Sequence, residues 1–528
     1  MPFFPNGPLP AQNLESTLNR FNTEHETTTS FVGAGVTTVE NKRAFIQRLL
    51  EALNKDIADE GYDENPLVTK ILTCLRFLSR EPEGCDDLFG NNGVAVLLKQ
   101  ARLDVDAKFD FTENPSATEA LKCLCNTLLQ HPPARLGVAE LGGVESICHL
   151  LKDCHSELPS DFQFLLMRIT FLLSVEDPAI VRCMLAPNLG FVDTLTIYLQ
   201  PLTKQQSVKA EMVMSEILKT VYNLMSVGKP APATTRSSTK LNGRTGSRSS
   251  ISSTVVTLAG VTVDVDYIDG FKNLLPVITH LLINHPLPST PLTPPISHMV
   301  HTLLNFPLTP YRDLFFKQGD VHPLVGRLCE ILAGSLDANS SEDSKPNARR
   351  KSLSQTKVED ILPSLLLVLG GIARQDVDAK DALRDILLHE DIDRSKPLDE
   401  GTSLTSRLIG FMTSIIHPNI RDSVCELIFV LCDEDPGKLV RYTGYGHAAG
   451  FLYSKGIAGG PFDDSAANSR PASRSQPIHP ISGKYERPDT GPELEDMTEE
   501  EKEREAERLM VLFERLNRTG VIKAVFPK

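Results

Sequence analysis

The chain has 528 residues and a formal net charge of −14, from 54 basic and 68 acidic side chains. An acidic chain lacks the basic footprint of nonspecific nucleic-acid binding, so we expect no nucleic-acid partner. Hydrophobic residues make up 41% of the chain, but no apolar run approaches the roughly 20 residues that span a bilayer. The N-terminus, MPFFPNGPLP, lacks the charged start and apolar core of a signal peptide. These features predict a cytoplasmic protein without stable membrane insertion.

Residue types that carry catalysis or bind metals show no recognisable pattern. Neither a phosphate-binding G-x-x-x-x-G-K-[ST] loop nor a G-x-S-x-G nucleophile elbow occurs. His298 and His301 form the one close histidine pair, and no aspartate or cysteine lies nearby in the sequence. The ten cysteines include no Cys-x-x-Cys pair, which predicts reduced and mostly buried thiols. We therefore expect no catalytic residue, no metal and no cofactor, and we do not expect an enzyme.

In chain order, the sequence predicts four regions. Residues 1–40 form a polar N-terminal segment with one short helix around Ala11–Glu24. Residues 41–455 show steady helical periodicity and form an armadillo-like repeat domain. A flexible linker follows at residues 456–490, and a C-terminal helix region at residues 491–528.

Two inserts and one strand interrupt the helical pattern. Residues 229–254 and 335–357 are rich in serine and basic residues, which predicts disorder. The second insert contains RRKS, the pattern that basophilic kinases recognise, so Ser352 is a candidate phosphorylation site. The run Val255–Val265 is β-branched and is the one clear strand signal.

The stretch Ile71–Arg80, ILTCLRFLSR, predicts a helix with one apolar side. Its isoleucine and leucine residues recur at helical spacing and would face a core. Arg76 and Arg80 lie four residues apart and therefore share a face. Two arginines in this arrangement can grip a carboxylate with forked hydrogen bonds. They can equally form an ordinary solvated basic face, and the stretch alone does not decide between the two.

A repeated unit runs through the chain. A glycine followed by an apolar helix start recurs at Gly93, Gly143, Gly190 and Gly319. The first three are separated by 50 and 47 residues, close to the roughly 40–47 residues of armadillo and HEAT units. Such units cannot bury their apolar faces alone, so they stack into a superhelix with a concave binding surface. The predicted fold class is therefore all-α, an armadillo/HEAT-like right-handed superhelical repeat array with disordered inserts and a C-terminal charged helix.

An asparagine recurs at the centre of several apolar helices. It occurs as Asn126 in ALKCLCNTLL, as Asn223 in ILKTVYNLMS and as Asn305 in MVHTLLNFPL, and the first two share the pattern LK-x-x-x-N. One asparagine per repeat can line the binding surface. It can also satisfy the backbone of a neighbouring repeat.

The final helix differs from the repeats. TEEE at Thr498–Glu501 predicts a capping box before a strongly charged segment. Leu509, Leu512 and Phe513 form an apolar stripe further along the same helix. The charged first half cannot be core, so we expect the apolar end to lie on the array or on a partner.

Four segments resemble one protein family. They are ALKCLCN (Ala120–Asn126), RYTGYGHAAGFL (Arg441–Leu452), IHPISGKYERP (Ile478–Pro488) and MTEEEKEREAERLMVLFERLNR (Met497–Arg518). Together they resemble the synembryn family, the resistance-to-inhibitors-of-cholinesterase exchange factors. The two basic inserts suggest a fungal-type member.

The resemblance implies a monomeric cytoplasmic protein, membrane-proximal at the cell cortex through its partner. That partner is the alpha subunit of a heterotrimeric G protein, GDP-bound or nucleotide-free. Members act as guanine-nucleotide releasing factors and folding chaperones for this subunit, without covalent chemistry. Their concave groove captures the subunit's C-terminal helix and stabilises the nucleotide-free state.

The resemblance also implies positions for the groove. They fall on Arg76, Arg80 and Asn126, each within a matching local motif. Arg168 and Phe171, in LLMRITFLL, fall on the next rung of the array.

Weaker correspondences complete the implied partner-binding set. Asn223 and Asn305 belong to it, although their surroundings match the family less well. Leu509, Leu512 and Phe513 of the last helix would brace the loosened nucleotide domain of the alpha subunit. A generic armadillo-repeat scaffold or adaptor is the alternative function, because the repeats alone support it equally well.

Overall fold

The structure is a computed structural model. It describes residues 11–58, 66–103, 114–154, 158–205, 207–227, 254–258, 260, 262–342, 358–389, 393–457, 478–479, 481–485 and 503–504.

The described residues form 23 α-helices and one two-stranded hairpin. The helices of the first half are α1 (Ala11–Glu24), α2 (Val39–Ala58), α3 (Pro66–Leu78), α4 (Asp86–Phe89), α5 (Asn91–Gln100), α6 (Pro115–Gln130), α7 (Ala134–Glu140), α8 (Gly143–Asp153), α9 (Ser160–Leu173), α10 (Pro178–Met184), α11 (Phe191–Leu202) and α12 (Val208–Val227). Those of the second half are α13 (Val265–Asp269), α14 (Leu274–Asn284), α15 (Ile296–Leu303), α16 (Leu308–Phe315), α17 (His322–Glu342), α18 (Val358–Gln375), α19 (Val377–Leu387), α20 (Leu404–Phe411), α21 (Pro418–Leu431), α22 (Pro436–Thr443) and α23 (Tyr445–Ser454).

The chain divides into two compact units. The first comprises Met1–Glu390 with Phe411–Glu434, and the second comprises Asp391–Gly410 with Asp435–Lys528. The predicted boundaries at residues 40, 455 and 490 follow sequence texture rather than these contacts, and they stay predictions.

The first unit is built from two rows of helices. Seven helices pack each against the next and form what we call the ladder row: α3, α6, α9, α12, α15, α18 and α21. Six helices form the cover row, each packed on the ladder helix that follows it: α2, α5, α8, α11, α14 and α17. A short helix precedes most cover helices, so that α4–α5–α6, α7–α8–α9 and α10–α11–α12 repeat one three-helix unit. This confirms the predicted all-α repeat array, while the right-handed superhelix stays a prediction.

The repeat glycines Gly93, Gly143, Gly190 and Gly319 lie at or near the start of four of the six cover helices. At Gly93 in α5, a β-carbon would lie 2.3 Å from the carbonyl oxygen of Leu88. No side chain fits at that distance, so glycine lets the cover helix begin directly beside the short helix before it. Gly190 and Gly319 instead have φ of +59° and +77°, in the left-handed region that favours glycine. The repeat is therefore recognisable in the sequence because the backbone geometry favours glycine at these positions.

The strand signal is also confirmed. Strands β1 (Thr254–Val256) and β2 (Thr262–Asp264) pair antiparallel, with Val255 opposite Val263. The chain between them reaches the ladder row, where the carbonyl oxygen of Leu258 would lie 2.5 Å from a β-carbon at Gly371 of α18. The hairpin thereby links α18 to the chain that leaves α12.

Two predicted irregular regions contain regular structure. The insert predicted from residue 335 begins inside α17, which continues to Glu342. Ser335 and Leu336 are buried there, and the Ser335 hydroxyl donates to the carbonyl oxygen of Ile331, so the serine does not end the helix. In the predicted flexible linker, residues 478–479 and 481–485 are described and include a β-bridge between Ile478 and Tyr485. Residues 229–253, 343–357 with Ser352, 458–477, 480 and 486–490 lie outside the described residues.

In the second unit, two of the family-like blocks meet. The backbone N–H of Gly446 donates to the carbonyl oxygen of Ile481 at 2.9 Å, and the Arg394 guanidinium donates to the carbonyl oxygen of Gly483 at 2.6 Å. Gly444 has φ of +78°, and a β-carbon there would lie 2.8 Å from the backbone nitrogen of Gly483. We call this contact the glycine clasp, because two backbones touch where no side chain fits.

The N-terminal segment is fixed to α3 through one buried carboxylate. Glu81 accepts hydrogen bonds from three backbone N–H groups, of Phe31, Val32 and Gly33, and from the Ser30 hydroxyl. The ammonium of Lys42, fully buried, lies 3.4 Å from the same carboxylate. Burial alone would raise the pKa of Glu81, but these hydrogen bonds together lower it to about 2.

Two further properties concern the described chain as a whole. Among the residues that the structure describes, no helix combines the length and apolar character that crossing a membrane requires. All ten cysteines are free thiols, and seven of them are buried, as predicted.

Glu81→Gln is expected to destabilise the protein, since the amide cannot accept from all these donors and leaves Lys42 without its carboxylate. The expected loss is about 2–4 kcal/mol. The contribution of Glu81 is present at neutral pH and is lost as pH falls from 4.5 to about 2. Urea unfolding followed by circular dichroism suits a chain without tryptophan. Glu83→Gln, at an exposed position nearby, is the control, and equal stability of the two variants would refute the role of Glu81.

Gly444→Ala is expected to break the glycine clasp, because the new methyl group would overlap the backbone of Gly483. Gly450→Ala in the same region meets no atom within 4 Å and is expected to be neutral or to stabilise α23 by about 0.5–1 kcal/mol. Hydrogen exchange at the Gly446 amide, which donates to the carbonyl oxygen of Ile481, measures the clasp directly. Unchanged protection of this amide in Gly444→Ala would contradict it.

Candidate functional site

The ladder row brings together the polar side chains that the sequence singled out. We call the row of half-buried residues along its helices the ladder face. It starts on α3, whose apolar side is buried as predicted and includes Phe77 in addition to the isoleucine and leucine residues.

Arg76 of α3 and Arg80, two residues beyond the end of that helix, are both engaged. Arg80 donates to the carbonyl oxygens of Glu26 and Thr28, each at 2.7 Å, and so ties down the N-terminal segment. Burial and the neighbouring Arg76 lower the pKa of Arg80. The Nε of Arg76 donates to Glu119 of α6 at 2.6 Å. Both arginines therefore already have hydrogen-bond partners within the chain.

Glu119 is the centre of the first charged cluster on the ladder face. Its side chain is only 12% exposed, and it accepts Arg76 on one oxygen and Lys122, at 2.8 Å, on the other. A buried carboxylate is stable only with such partners. The cluster carries two cations and one anion, a net charge of +1.

The same cluster recurs two ladder helices further on. Glu216 of α12, 6% exposed, accepts a hydrogen bond from Arg168 of α9 at 2.9 Å, and its other oxygen forms an ion pair with Lys219 of its own helix at 2.7 Å. The Lys219 ammonium also lies 4.2 Å from the ring centre of Phe171, a cation–π contact. Burial and the charge of Arg168 lower the pKa of Lys219, and Glu216 opposes them. This cluster again has a net charge of +1.

The asparagines link neighbouring ladder helices. Asn126 donates to the carbonyl oxygen of Arg76 and to the Ser79 hydroxyl, both at 3.1 Å. Asn223 donates to the Ser174 hydroxyl at 3.0 Å. Both side chains are half-buried at the surface of the row. The two interpretations of these residues therefore combine, because the asparagines satisfy the neighbouring helix and also line the ladder face.

The third asparagine differs. Asn305 follows α15 and is buried, and within the described chain its amide nitrogen has no hydrogen-bond partner. It does not share the link that Asn126 and Asn223 make.

The buried glutamates were missed by the sequence reasoning, although a signal exists. The shared pattern LK-x-x-x-N extends to Glu-x-Leu-Lys-x-x-x-Asn, as EALKCLCN at Glu119–Asn126 and EILKTVYN at Glu216–Asn223. Glutamate and lysine three residues apart lie on one helix face, and asparagine four residues later continues it. The two copies identify both charged clusters.

The remaining predicted partner-binding residues cannot be placed. Leu509, Leu512 and Phe513 lie outside the described residues. Within the described ranges, no group of three or more histidine, cysteine, aspartate or glutamate side chains is arranged to hold a metal ion.

Known proteins resemble the chain along most of its length. Chaperone Ric-8 of Drosophila pseudoobscura pseudoobscura is 26% identical over 508 residues, covering 87% of this chain and 83% of that protein. Chaperone Ric-8A of Pongo abelii is 26% identical over 533 residues, covering 96% and 90%. A solved structure of an engineered protein gives a TM-score of 0.45 at 13% identity, covering 85% of this chain and 93% of that one.

The chain also matches a family model over most of its length. Residues 71–527 match the family Ric8, described as guanine nucleotide exchange factor synembryn. The match begins at the helix that carries Arg76 and includes both charged clusters and the glycine clasp. The chain therefore belongs to the synembryn family.

Proposed function

We propose that the protein is a guanine nucleotide exchange factor and folding chaperone for G protein alpha subunits, and that the ladder face binds the subunit's C-terminal helix. Family membership supports the activity, and the two relatives compared above are both named chaperones. The charge of the ladder face supports the location. The chain as a whole is acidic, but both charged clusters on this face are net positive.

Binding would proceed by charge and by shape. A helix that ends in a carboxylate and carries acidic side chains would meet Lys122 and Arg168, which are 39% and 33% exposed. A well-placed hydrogen bond to a charged group contributes about 1.5–3 kcal/mol. Phe171, on the same helix as Arg168, and Asn223 of α12 offer an apolar surface and an amide on the same face.

Exchange would need no covalent chemistry. The C-terminal helix of the alpha subunit supports its guanine-binding loop, so its capture opens the nucleotide site and GDP leaves. The exchange factor binds a minor conformation of its partner and increases its population. In this proposal the protein is a monomer that binds the GDP-bound alpha subunit and stabilises its nucleotide-free form. It is not an enzyme, because the exchange makes and breaks no covalent bond.

The roles of Arg76 and Arg80 change within this proposal. Arg76 would reach the partner only in competition with Glu119, and Arg80 would have to release the N-terminal segment. Reversing both charges would therefore unfold part of the first unit as well as weaken binding. The more exposed cations of the two clusters give a cleaner test.

Lys122→Gln combined with Arg168→Gln is expected to weaken binding of the alpha subunit about five- to thirtyfold, from two half-exposed charge contacts. Each buried glutamate keeps one cation, Arg76 or Lys219, so the fold should survive. Surface plasmon resonance against GDP-bound alpha subunit, at low and high salt, measures the loss.

The matched control is Lys99→Gln combined with Lys152→Gln, two exposed lysines of the cover row. It is expected to bind as the parent does. Equal affinity of both double variants would show that the ladder face is not the binding surface.

Removal of residues 498–528 is expected to shorten the lifetime of the nucleotide-free complex while leaving initial capture of the C-terminal helix intact. The apolar stripe of that segment would otherwise brace the loosened nucleotide domain. Dissociation followed after adding a GTP analogue measures the lifetime. Leu512→Ala with Phe513→Ala in the full chain should reproduce the effect, and an unchanged lifetime in both proteins would refute the bracing role.

A further inference from the structure

The pattern Glu-x-Leu-Lys-x-x-x-Asn has a third counterpart on α15, where other residues stand in place of the glutamate and the lysine. Counting back seven and four residues from Asn126 or Asn223 gives the glutamate and the lysine of a charged cluster. The same count from Asn305 gives His298 and His301. Imidazoles thus replace an ion pair at corresponding positions, on the ladder helix that follows the second cluster.

These imidazoles line a cavity, which we call the histidine cavity. Its volume is about 210 Å³, several times that of a water molecule. It is formed by α9, α12 and α15 of the first unit, and its polar and aromatic lining is Phe171, Lys219, Tyr222, Asn223, His298 and His301. The rings of Tyr222 and His301 lie 6.2 Å apart.

The electrostatic neighbours of His298 favour its neutral form. Lys219 of α12 and, when protonated, His301 of α15 each lower the pKa of His298. Glu216 is the nearest carboxylate of α12, and both of its oxygens are already paired with Arg168 and Lys219. In the described part of α14 and α18, which also pack on α15, no side chain contributes charge to either imidazole.

This environment keeps the imidazoles neutral when the cavity is empty. Burial, with Lys219 and His301, lowers the pKa of His298 to about 4, and burial lowers the pKa of His301. A negative group that entered the cavity would reverse this balance, because it would favour a protonated imidazole.

Building on the function proposed above, we propose that the histidine cavity receives a carboxylate of the partner's C-terminal helix, held by Lys219 and by an imidazole that becomes protonated on binding. The proton comes from solvent, and the imidazolium N–H donates to the incoming carboxylate oxygen. The first two clusters hold their own glutamates, whereas this position is completed by the partner's acid. Capture of the helix is therefore linked to proton uptake.

The test measures binding of a synthetic peptide from the C-terminal helix of a G protein alpha subunit. Affinity of the wild-type protein is expected to increase about five- to tenfold as pH falls from about 8 to about 6. Calorimetry in buffers of different ionisation enthalpy should show uptake of up to about one proton per peptide near pH 6.5. Affinity that is independent of pH, or no proton uptake, would overturn the proposal.

Two variants assign the effect to the cavity. His298→Gln and His301→Gln keep a hydrogen-bonding side chain but cannot titrate, so each is expected to reduce the pH dependence, and the double variant to remove it. Both imidazoles are half-buried, so His301→Gln serves if His298→Gln disturbs folding. His149→Gln, exposed on the cover row, is the matched control and should keep the wild-type pH profile. Loss of the profile in His149→Gln, or its survival in the double histidine variant, would overturn the assignment.

The source of the carboxylate is identified by changing the peptide. A C-terminally amidated peptide loses the pH dependence if the chain terminus enters the cavity, and a peptide with glutamine and asparagine for its acids loses it if a side chain does. Persistence in both peptides overturns the proposal.

Full-length alpha subunit is measured in parallel. Binding with a flat pH profile refutes only the role of the histidine cavity, whereas absence of binding at every pH refutes the proposed function and this inference with it.

Discussion

The buried glutamates Glu119 and Glu216 impose the constraint on which the ladder face depends. Each carboxylate is almost fully removed from water, so it is stable only while an arginine of the preceding ladder helix and a lysine of its own helix remain in place. The pairing ties each of these ladder helices to the one before it. It also leaves one uncompensated positive charge per cluster. The ladder face is therefore positively charged at the positions where the buried glutamates are held.

Much of the fold could be predicted from the sequence, because its causes are local. The glycine near the start of four cover helices and the apolar spacing of the ladder helices both leave periodic marks in the chain, and the strand run left a β-branched one. The exact extent of α17 could not be predicted, since Ser335 is stabilised by a bond to its own helix and Leu336 by burial, neither visible in composition. The glycine clasp was equally hidden, although both of its segments had been recognised, because their contact joins residues far apart in the chain.

The sequence predicted which polar side chains share the ladder face, but not which partners they have. Arg76 and Asn126 do lie on one face, yet Arg76 is paired with a glutamate that the sequence reasoning had passed over. Arg80 belongs to the fixation of the N-terminal segment together with Glu81, whose donors come from about fifty residues earlier. A side chain's partner depends on tertiary contacts, and a pattern read along one helix cannot supply it. The replacement of an ion pair by His298 and His301 became meaningful only once the structure had aligned the three helices.

The glycine clasp has a consequence for how this part of the chain tolerates change. The contact between Gly444 and Gly483 requires an approach of two backbones that a single methyl group at Gly444 would prevent. Helix α23 lies between the two glycines in the sequence, and its Ala448 and Leu452 are buried. Sequence change in this part of the chain is therefore limited by two independent requirements, a bare backbone at the glycines and apolar side chains on α23.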